Sequence, residues 1–519
     1  MDTPARQFAV IDVGTTAIRL AVAEVGPDGV PHILEQPRQN VALGDDVFSR
    51  GEIAPETIET CVGVVRLFAR RVGEYGIPLD PQHVRLVATS AVREATNRDT
   101  FVDRVYVATG LEIQVVEEAE LSRYTYLSVQ PFRHSPVFAP REGVTLVVEV
   151  GGGSTEVLAL RHGKVSFTQE HRLGALRLWQ LREAAGLSSR GRREVMEAHI
   201  ERFTDVLQSC FGHDLRPHLQ ILAIGGDARF AASQLQPGWE VDRLATLPVT
   251  RVTEVAERVL AQSEDDLVRT YALTYPEAET LGAALLTYVR LAQALNRRTL
   301  HVTTVSMRDG VLADMAAPLE AADVFAEQII NAAEMLGAKY SVDMAHGRHV
   351  ARACLKLYDA LAEWHHLPPR SRLVLEVAAL LHEIGMYVST RSHHKHSLYL
   401  IHNSDIFGLS TWDKELAALV ARYHRRSHPL MTHEIYGTLS RERRLMVCKL
   451  AAILRVADCL DRRHTQRVAI ERVEPVGDEL RVLVSGVADP ILERLALEQK
   501  AGMFADVYGL NVVLCPLRG

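Results

Sequence analysis

Two stretches of this chain set acids beside glycine- and threonine-rich turns. Residues 146–160 read LVVEVGGGSTEVLAL, with Glu149 ahead of Gly151, Gly152 and Gly153, and Glu156 just after Ser154 and Thr155. Residues 8–22 read FAVIDVGTTAIRLAV, with Asp12 ahead of Gly14, Thr15 and Thr16. Glycine reaches backbone conformations that let successive N–H groups face one point, and such a hollow suits phosphate. Carboxylates beside it would repel phosphate unless a divalent cation stood between them. Mg²⁺ is commonly held by one or two carboxylates, with water completing its shell. The pattern therefore predicts phosphate at the turns and a cation at Glu149 and Glu156, with Asp12 as a further candidate. A hydrolase also needs a base to act on water. The stretch VVEEAELSRYTY, residues 115–126, offers Glu117, Glu118 and Glu120. Acids also favour the first turn of a helix, so both readings of these residues stay open at this point. Arg93 follows an apolar run at 84–89 and is either a bidentate phosphate ligand or a solvated helix arginine.

Elements that would position these residues can be read from the hydrophobic pattern. Residues 8–13 predict a buried strand, Gly14 to Thr16 a tight turn, and Ile18–Val25 a second strand. Residues 56–75 predict a helix with Ile58, Val62, Val65, Phe68 and Val72 on one stripe. A strand is expected over Val84–Thr89, followed by a helix start with Ser90 as cap. Another is expected over Glu112–Val116. Residues 131–142 are Pro-rich and predict a linker. After it the opening order returns: apolar strand, acid, Gly/Thr turn, apolar strand. Asp12 and Glu149 occupy the same place in each copy, which predicts a duplicated α/β domain. A third glycine turn, ILAIGGDARF at 221–230, follows another short apolar run, and HVTTVSMRDG at 301–310 predicts a strand entering a turn. From about 313 to 468 the pattern is helical and rich in histidine. The tail predicts two strands and a helix.

A length of 519 residues is too great for one core and implies three or four domains. No apolar run approaches the ~18 residues of a membrane helix, and the opening MDTPARQFAVIDVG has no basic segment ahead of an apolar core, which argues against a secretory signal. Six scattered cysteines without a C-x-x-C pair fit a reducing compartment, so a cytoplasmic location is expected. Net charge is −7, unevenly spread: residues 346–470 hold 19 Lys and Arg against 11 Asp and Glu, and 13 of the 22 histidines. This +8 stretch is either a solvated helical face or a surface that attracts a polyanion.

The order IDVGTT, ATSAVREATN, an acidic cluster, VEVGGGSTEV, LGALRL and IGG resembles the exopolyphosphatase / guanosine pentaphosphate phosphatase (Ppx/GppA) family. LLHEIG, HHKHSLYLIHNSD, ARYHRR and LRVADCLDRR resemble the HD-type helical domain of its longer members. The resemblance implies an α/β fold of two duplicated lobes of the actin / sugar kinase / Hsp70 (ribonuclease H-like) type. These would occupy residues 1–130 and 131–312, followed by an all-α HD-like domain at 313–468 and a small α+β cap at 469–519. It implies release of terminal orthophosphate from linear polyphosphate, or of the 5′ phosphate of guanosine pentaphosphate, with Mg²⁺ or Mn²⁺. A phosphate- or nucleotide-binding regulator of weak activity and a sugar-kinase-like enzyme are alternatives. Carried over, Gly14, Thr15 and Thr16 would cradle phosphate from one lobe and Gly151, Gly152, Gly153, Ser154 and Thr155 from the other. Arg93 would touch phosphate oxygens, and Glu149 and Glu156 would hold the metal. The family's Ser-Gly-x-Glu-Glu-Ala-Arg pattern, laid on without gaps, puts its first glutamate on Glu120 and its second on Leu121. Glu120 is thus the expected base and Glu118 the next choice. Glu149 stands where aspartate is usual, and Asp227 where a small or hydroxyl residue is common. In the HD-like region the ligand order would be His346, His382, Glu383 and Asp458. Glutamate at 383 replaces the aspartate of metal-dependent HD enzymes, so a fold kept without its metal is expected there. His393, His394 and His396 with Lys395 are expected to contact polyanion or to form a surface loop. Neither a membrane nor a specific nucleic acid is an expected partner, and family members are often homodimers.

Overall fold

A computed structural model describes residues 6–26, 30–138, 143–184, 189–210, 218–240, 243–316, 321–425, 427–487 and 489–517. The chain divides into two units, Met1–Ala321 and Ala322–Gly519.

The first unit contains two sheets built on the same plan. In the first, β1 (Arg6–Val13) and β2 (Ala17–Val25) form a hairpin, flanked by β3 (Pro31–Glu35) and β4 (Arg38–Asn40) on the β2 side. On the other side β5 (Val84–Ala88) and β6 (Ile113–Val115) run parallel to β1. The second sheet repeats this with β7 (Val144–Val150), β8 (Thr155–Arg161) and β9 (Lys164–His171) antiparallel, and β10 (Leu219–Ile224) and β12 (Thr299–Val302) parallel to β7. A short β11 (Ala245–Pro248) closes that edge. The central strands are apolar on both faces because helices cover both sides. The helix Pro55–Glu74 buries the predicted stripe Ile58, Val62, Val65, Phe68 and Val72 in the core of the first sheet.

Two local features differ from the sequence expectation, and a third expectation falls partly outside the described residues. Ser90 is the first residue of the helix Ser90–Glu94 rather than its cap, Thr89 taking that place. Part of the Pro-rich stretch, residues 139–142, lies outside the described residues. The helix Met307–Ala316 crosses back to the first sheet, where Met307, Val311, Leu312 and Ala316 share a core with Phe8, Val10, Ala21 and Tyr124. A cut at 312 would divide that helix.

The second unit is a helical bundle around Met344–Ala360, Arg370–Leu381, Thr411–Arg422 and Arg441–Cys459. Its tail has a third strand that the sequence pattern did not reveal: β13 (Ala469–Val476) and β14 (Glu479–Ser485) are antiparallel, and β15 (Asn511–Pro516) joins parallel to β14. Ile470, Leu480, Val482, Val484 and Phe504 belong to the same hydrophobic cluster as the bundle, so residues 469–519 share its core. Among the described residues no helix is long and apolar enough to cross a membrane.

Candidate active site

The three glycine turns singled out above lie just past the C-terminal ends of strands that run parallel to a neighbour. The turn at Gly14 follows β1, Thr89 and Ser90 follow β5, Gly151 follows β7, Gly225 follows β10, and Ser306 to Arg308 come shortly after β12. Carboxyl ends of parallel strands are where open α/β sheets bind ligands. Here the ends of both sheets meet in one cavity of about 470 Å³. Close backbone contacts hold the turns together. A Cβ at Gly174 would sit 2.1 Å from the Gly152 carbonyl oxygen, and one at Gly152 would sit 3.0 Å from Thr15 Cβ, so only glycine lets these segments approach. Thr15 Oγ1 lies 3.5 Å from Ser90 Oγ. Tyr288 ties two strand ends: its hydroxyl donates to Ile224 O (2.8 Å) and accepts from Val150 N (3.0 Å).

The hairpin registers set the charges. Asp12 on β1 faces Arg19 on β2, whereas Glu149 on β7 faces Glu156 on β8. All four line the cavity, as do Arg38, Arg229, Arg308, Asp227 and Glu277. Asp12 accepts from Arg308 Nη1 at 2.9 Å, and Arg38 pairs with Glu277. Arg229 Nη1 donates to Thr304 O at 2.9 Å. Burial lowers the Arg19 guanidinium to about 10, partly opposed by Asp12, and burial also lowers Arg229. Burial raises Glu149 above the usual carboxylate range, against the pull of Arg229 and Arg308. Burial raises Glu156 to about 8, helped by Glu149 nearby. Its Oε2 accepts from Thr125 Oγ1 at 2.8 Å, while its Oε1 is buried with no partner. Burial likewise raises Asp227 to about 6.

Most of the phosphate and metal candidates are brought together here. Gly14, Thr15, Thr16, Gly151, Gly152 and Ser154 line the cavity with Asp12, Glu149 and Glu156. Gly153 and Thr155 do not. Gly153 packs toward Phe48 and Ser90, and the Thr155 hydroxyl bonds the Leu173 carbonyl. Arg93 is also elsewhere: it donates to Val116 O at 2.9 Å and to both Glu170 oxygens at 2.6 and 2.7 Å, a bridge between the two halves of the unit.

The expected base is displaced as well. Glu120 sits in a capping box at the start of the helix Glu118–Ser128, its carboxylate facing the Glu117 backbone N–H and accepting from Gln114 Nε2 at 2.9 Å. Glu118, at the exposed first position of that helix, is not on the cavity wall either. The residue of this helix that lines the cavity is Leu121. Sequence reasoning missed Arg19, Arg38, Arg229 and Arg308. Arg19 was legible in principle, since a two-residue hairpin turn must place it opposite Asp12. Arg38 and Arg308 depend on chain crossings that no local pattern reports.

In the second unit, ligand atoms of His346, His382 and Glu383 lie within 4.8 Å of one another. Asp458 Oδ1 stands 3.8 Å from His346 Nε2 and 3.7 Å from His382 Nε2. His393 begins the helix His393–His402 and is buried against His424, so it is not part of a surface loop.

A model of the Ppx/GppA phosphatase family matches residues 21–318, and one of Ppx/GppA phosphatase domain III matches residues 330–501. The chain belongs to the Ppx/GppA phosphatase family. It is thus a phosphoanhydride hydrolase by class. Similar proteins include the guanosine-5′-triphosphate,3′-diphosphate pyrophosphatases of Vibrio vulnificus strain YJ016 and Vibrio parahaemolyticus serotype O3:K6. The first is 23% identical over 456 residues, covering 86% of each chain. The second is 24% identical over 467 residues, again 86% of each. Among solved structures, an exopolyphosphatase from Cytophaga hutchinsonii superposes with a TM-score of 0.53 at 19% identity, covering 60% of this chain and 98% of that one. That likeness supports the fold of this Ppx/GppA phosphatase over 60% of its chain.

Proposed function

We propose that this Ppx/GppA phosphatase is an exopolyphosphatase, removing terminal orthophosphate from linear polyphosphate in the cavity of the first unit. The observation that carries this reading is the convergence of Arg19, Arg38, Arg229 and Arg308 on the cavity that holds both glycine turns. Guanidinium groups bind phosphate oxygens in forked pairs. Phe230 is the one aromatic residue on the described walls, so the lining favours repeated phosphates over a stacked base.

The residues present fit a divalent cation. Glu149, half-buried, and Glu156, buried, face each other across an antiparallel pair, with one Glu156 oxygen unpartnered. Like charges so placed oppose each other unless a cation lies between them. Glu149 and Glu156 would hold it, with Asp12 nearby. When bound, Mg²⁺, or Mn²⁺ in its place, would keep both carboxyls ionised and offset the charge on the phosphate oxygens. The amides of the Gly14 and Gly151 turns would hold the terminal phosphoryl group. Water would attack its phosphorus, forming one P–O bond as the bond to the chain's bridging oxygen breaks. Glu156, beside the Leu121 wall, would take the water's proton, and the arginines would bear the charge of the departing chain.

A second reading is hydrolysis of guanosine pentaphosphate at the same site. It is favoured by the two Vibrio relatives, whose match extends over both units. Phosphate release from long polyphosphate and from guanosine pentaphosphate, each with and without Mg²⁺, separates the two. Cation-dependent release from polyphosphate at a higher kcat/KM is expected. Preference for the nucleotide would reverse the assignment, and release from neither would overturn both.

A further inference from the structure

Glu156 is held in place from the other half of the first unit. The helix Glu118–Ser128 follows the first sheet, whereas Glu156 lies on β8 of the second. Thr125 Oγ1 lies 2.8 Å from Glu156 Oε2, with Thr125 1% and Glu156 4% exposed. An ionised carboxylate only accepts, so the hydroxyl donates its single proton to it. A threonine inside a helix commonly turns its hydroxyl back to the carbonyl four residues earlier. Here the proton goes to a residue 31 positions away instead. Ser122, buried one turn earlier on the same helix face, is a second hydroxyl that favours ionised Glu156.

The helix that carries both hydroxyls is itself fixed. A Cβ at Gly310 would sit 1.8 Å from the Tyr124 carbonyl oxygen, so only glycine lets the helix Met307–Ala316 pack this closely against it. Arg123, on the hydroxyl-bearing helix, and Arg85, on β5, both pair with Asp314 of that neighbouring helix. Arg93 donates to Val116 O, just before the helix begins, at 2.9 Å. With Oε2 taken by Thr125, Oε1 of Glu156 is left buried and without a partner. The Thr125 hydroxyl thereby decides which carboxylate oxygen is free.

We propose that Thr125, with Ser122 behind it, is the positioning residue of Glu156: it pins Oε2 and leaves Oε1 as the oxygen free to ligate a cation or accept a proton. The inference rests on the role given to Glu156 above. Neither Thr125 nor Ser122 is on the cavity wall, so both act through Glu156 rather than on substrate. Partners that orient a ligating carboxylate commonly change cation affinity or activity by ~10–100-fold. Because the hydroxyls and the carboxylate belong to different halves, the aim of Glu156 depends on the packing of one half against the other.

Two measurements on the full chain test this: Mn²⁺ binding without substrate, read from the electron paramagnetic resonance signal of free Mn²⁺, and steady-state phosphate release. The cation sites that count are those lost in Glu156→Gln. Thr125→Val keeps the shape and drops the hydroxyl. It should weaken those sites by ~10–100-fold and lower kcat about tenfold. KM for polyphosphate should stay within about twofold. Thr125→Ser should restore both readouts, and Ser122→Ala should act in the same direction by about threefold. In a Glu156→Gln background Thr125→Val should cost nothing further, whereas a purely structural role would add its own loss. Circular dichroism checks that each variant is folded. If Thr125→Val fails to fold, Ser122→Ala, alone and in the Glu156→Gln background, decides. Cation sites and turnover that survive Glu156→Gln would overturn the reading of Glu156 itself. Their loss there beside parent-like values in folded Thr125→Val, an additive double variant, or a change confined to KM would overturn the positioning role alone.

Discussion

The two hairpins at the centre of the first unit are one device used twice, differing in the residue across from the acid. On β1–β2, Asp12 faces Arg19 and is also bonded to Arg308. On β7–β8, Glu149 faces Glu156, and burial pushes both carboxyls upward. One acid is neutralised by guanidinium groups inside the protein. The other two are crowded, and an external cation is what would relieve them. Under the proposed function, the first hairpin would thus face an anion and the second a cation, and a phosphate chain between them would meet both.

The largest test of this contrast exchanges acid for amide on each side. Under the proposed mechanism Glu156→Gln removes both a cation ligand and the proton acceptor, so kcat should fall by ~10²–10⁴-fold. Asp12→Asn keeps a hydrogen-bonding group toward Arg308 and removes a charge that two arginines already offset; about tenfold or less in kcat is expected, within the span of ~1–3 kcal/mol for a hydrogen bond to a charged group. Steady-state phosphate release on both variants decides it. Equal losses would mean that the two hairpins do the same work.

A gain-of-function change probes the wall between them. Leu121 lines the cavity where the resemblance places a glutamate, one turn before Thr125, which holds Glu156. Leu121→Glu should raise kcat by roughly tenfold, if a second carboxylate there shares proton transfer with Glu156. The cost is loss of an apolar side chain from a core with Tyr124 and Met307, so thermal stability should drop while turnover rises. An unchanged or lower kcat in folded protein would remove the Leu121 position from the mechanism.

Much of this architecture was legible from the chain alone, for a physical reason. The strand–acid–glycine-turn–strand order is local, and a buried parallel strand shows as an unbroken apolar run. Asp12, Glu149 and Glu156, which that order singles out, all line one cavity. The expected residues that the cavity does not gather are those whose place non-local geometry decides. Glu120 and Leu121 are neighbours in sequence, but a helix turns successive residues by about 100°, and capping chose which faced the backbone and which faced the cavity. Arg93 was drawn to Glu170, a residue 77 positions away. The histidine cluster was visible as residue types, yet which imidazoles meet depends on the packing of separate helices, as His393 against His424 shows.

The smallest expected effect is thermodynamic, and its sign follows from the crowded hairpin. Glu156 moves from the ordinary 4.5 to about 8 on folding, and Asp227 from 3.8 to about 6. Between the lower and upper values the folded protein holds protons that the unfolded chain has released. Stability therefore falls as pH rises through that window, because the unfolded state binds fewer protons. Without divalent cations, the melting temperature of the first unit should fall from pH 5 to pH 8.5. Asp227 contributes only to about pH 6, so the upper part of the decline belongs to Glu156 together with Glu149, which burial also raises. Glu156→Gln, which cannot ionise, should flatten that upper part and leave only the share of Asp227 in the lower part. Mg²⁺ should stabilise the parent protein most at pH 8, where Glu156 is most easily ionised, and do little for the variant. Parallel melting profiles for the two proteins across pH 6–8.5 would mean that Glu156 is not the strained member of the pair.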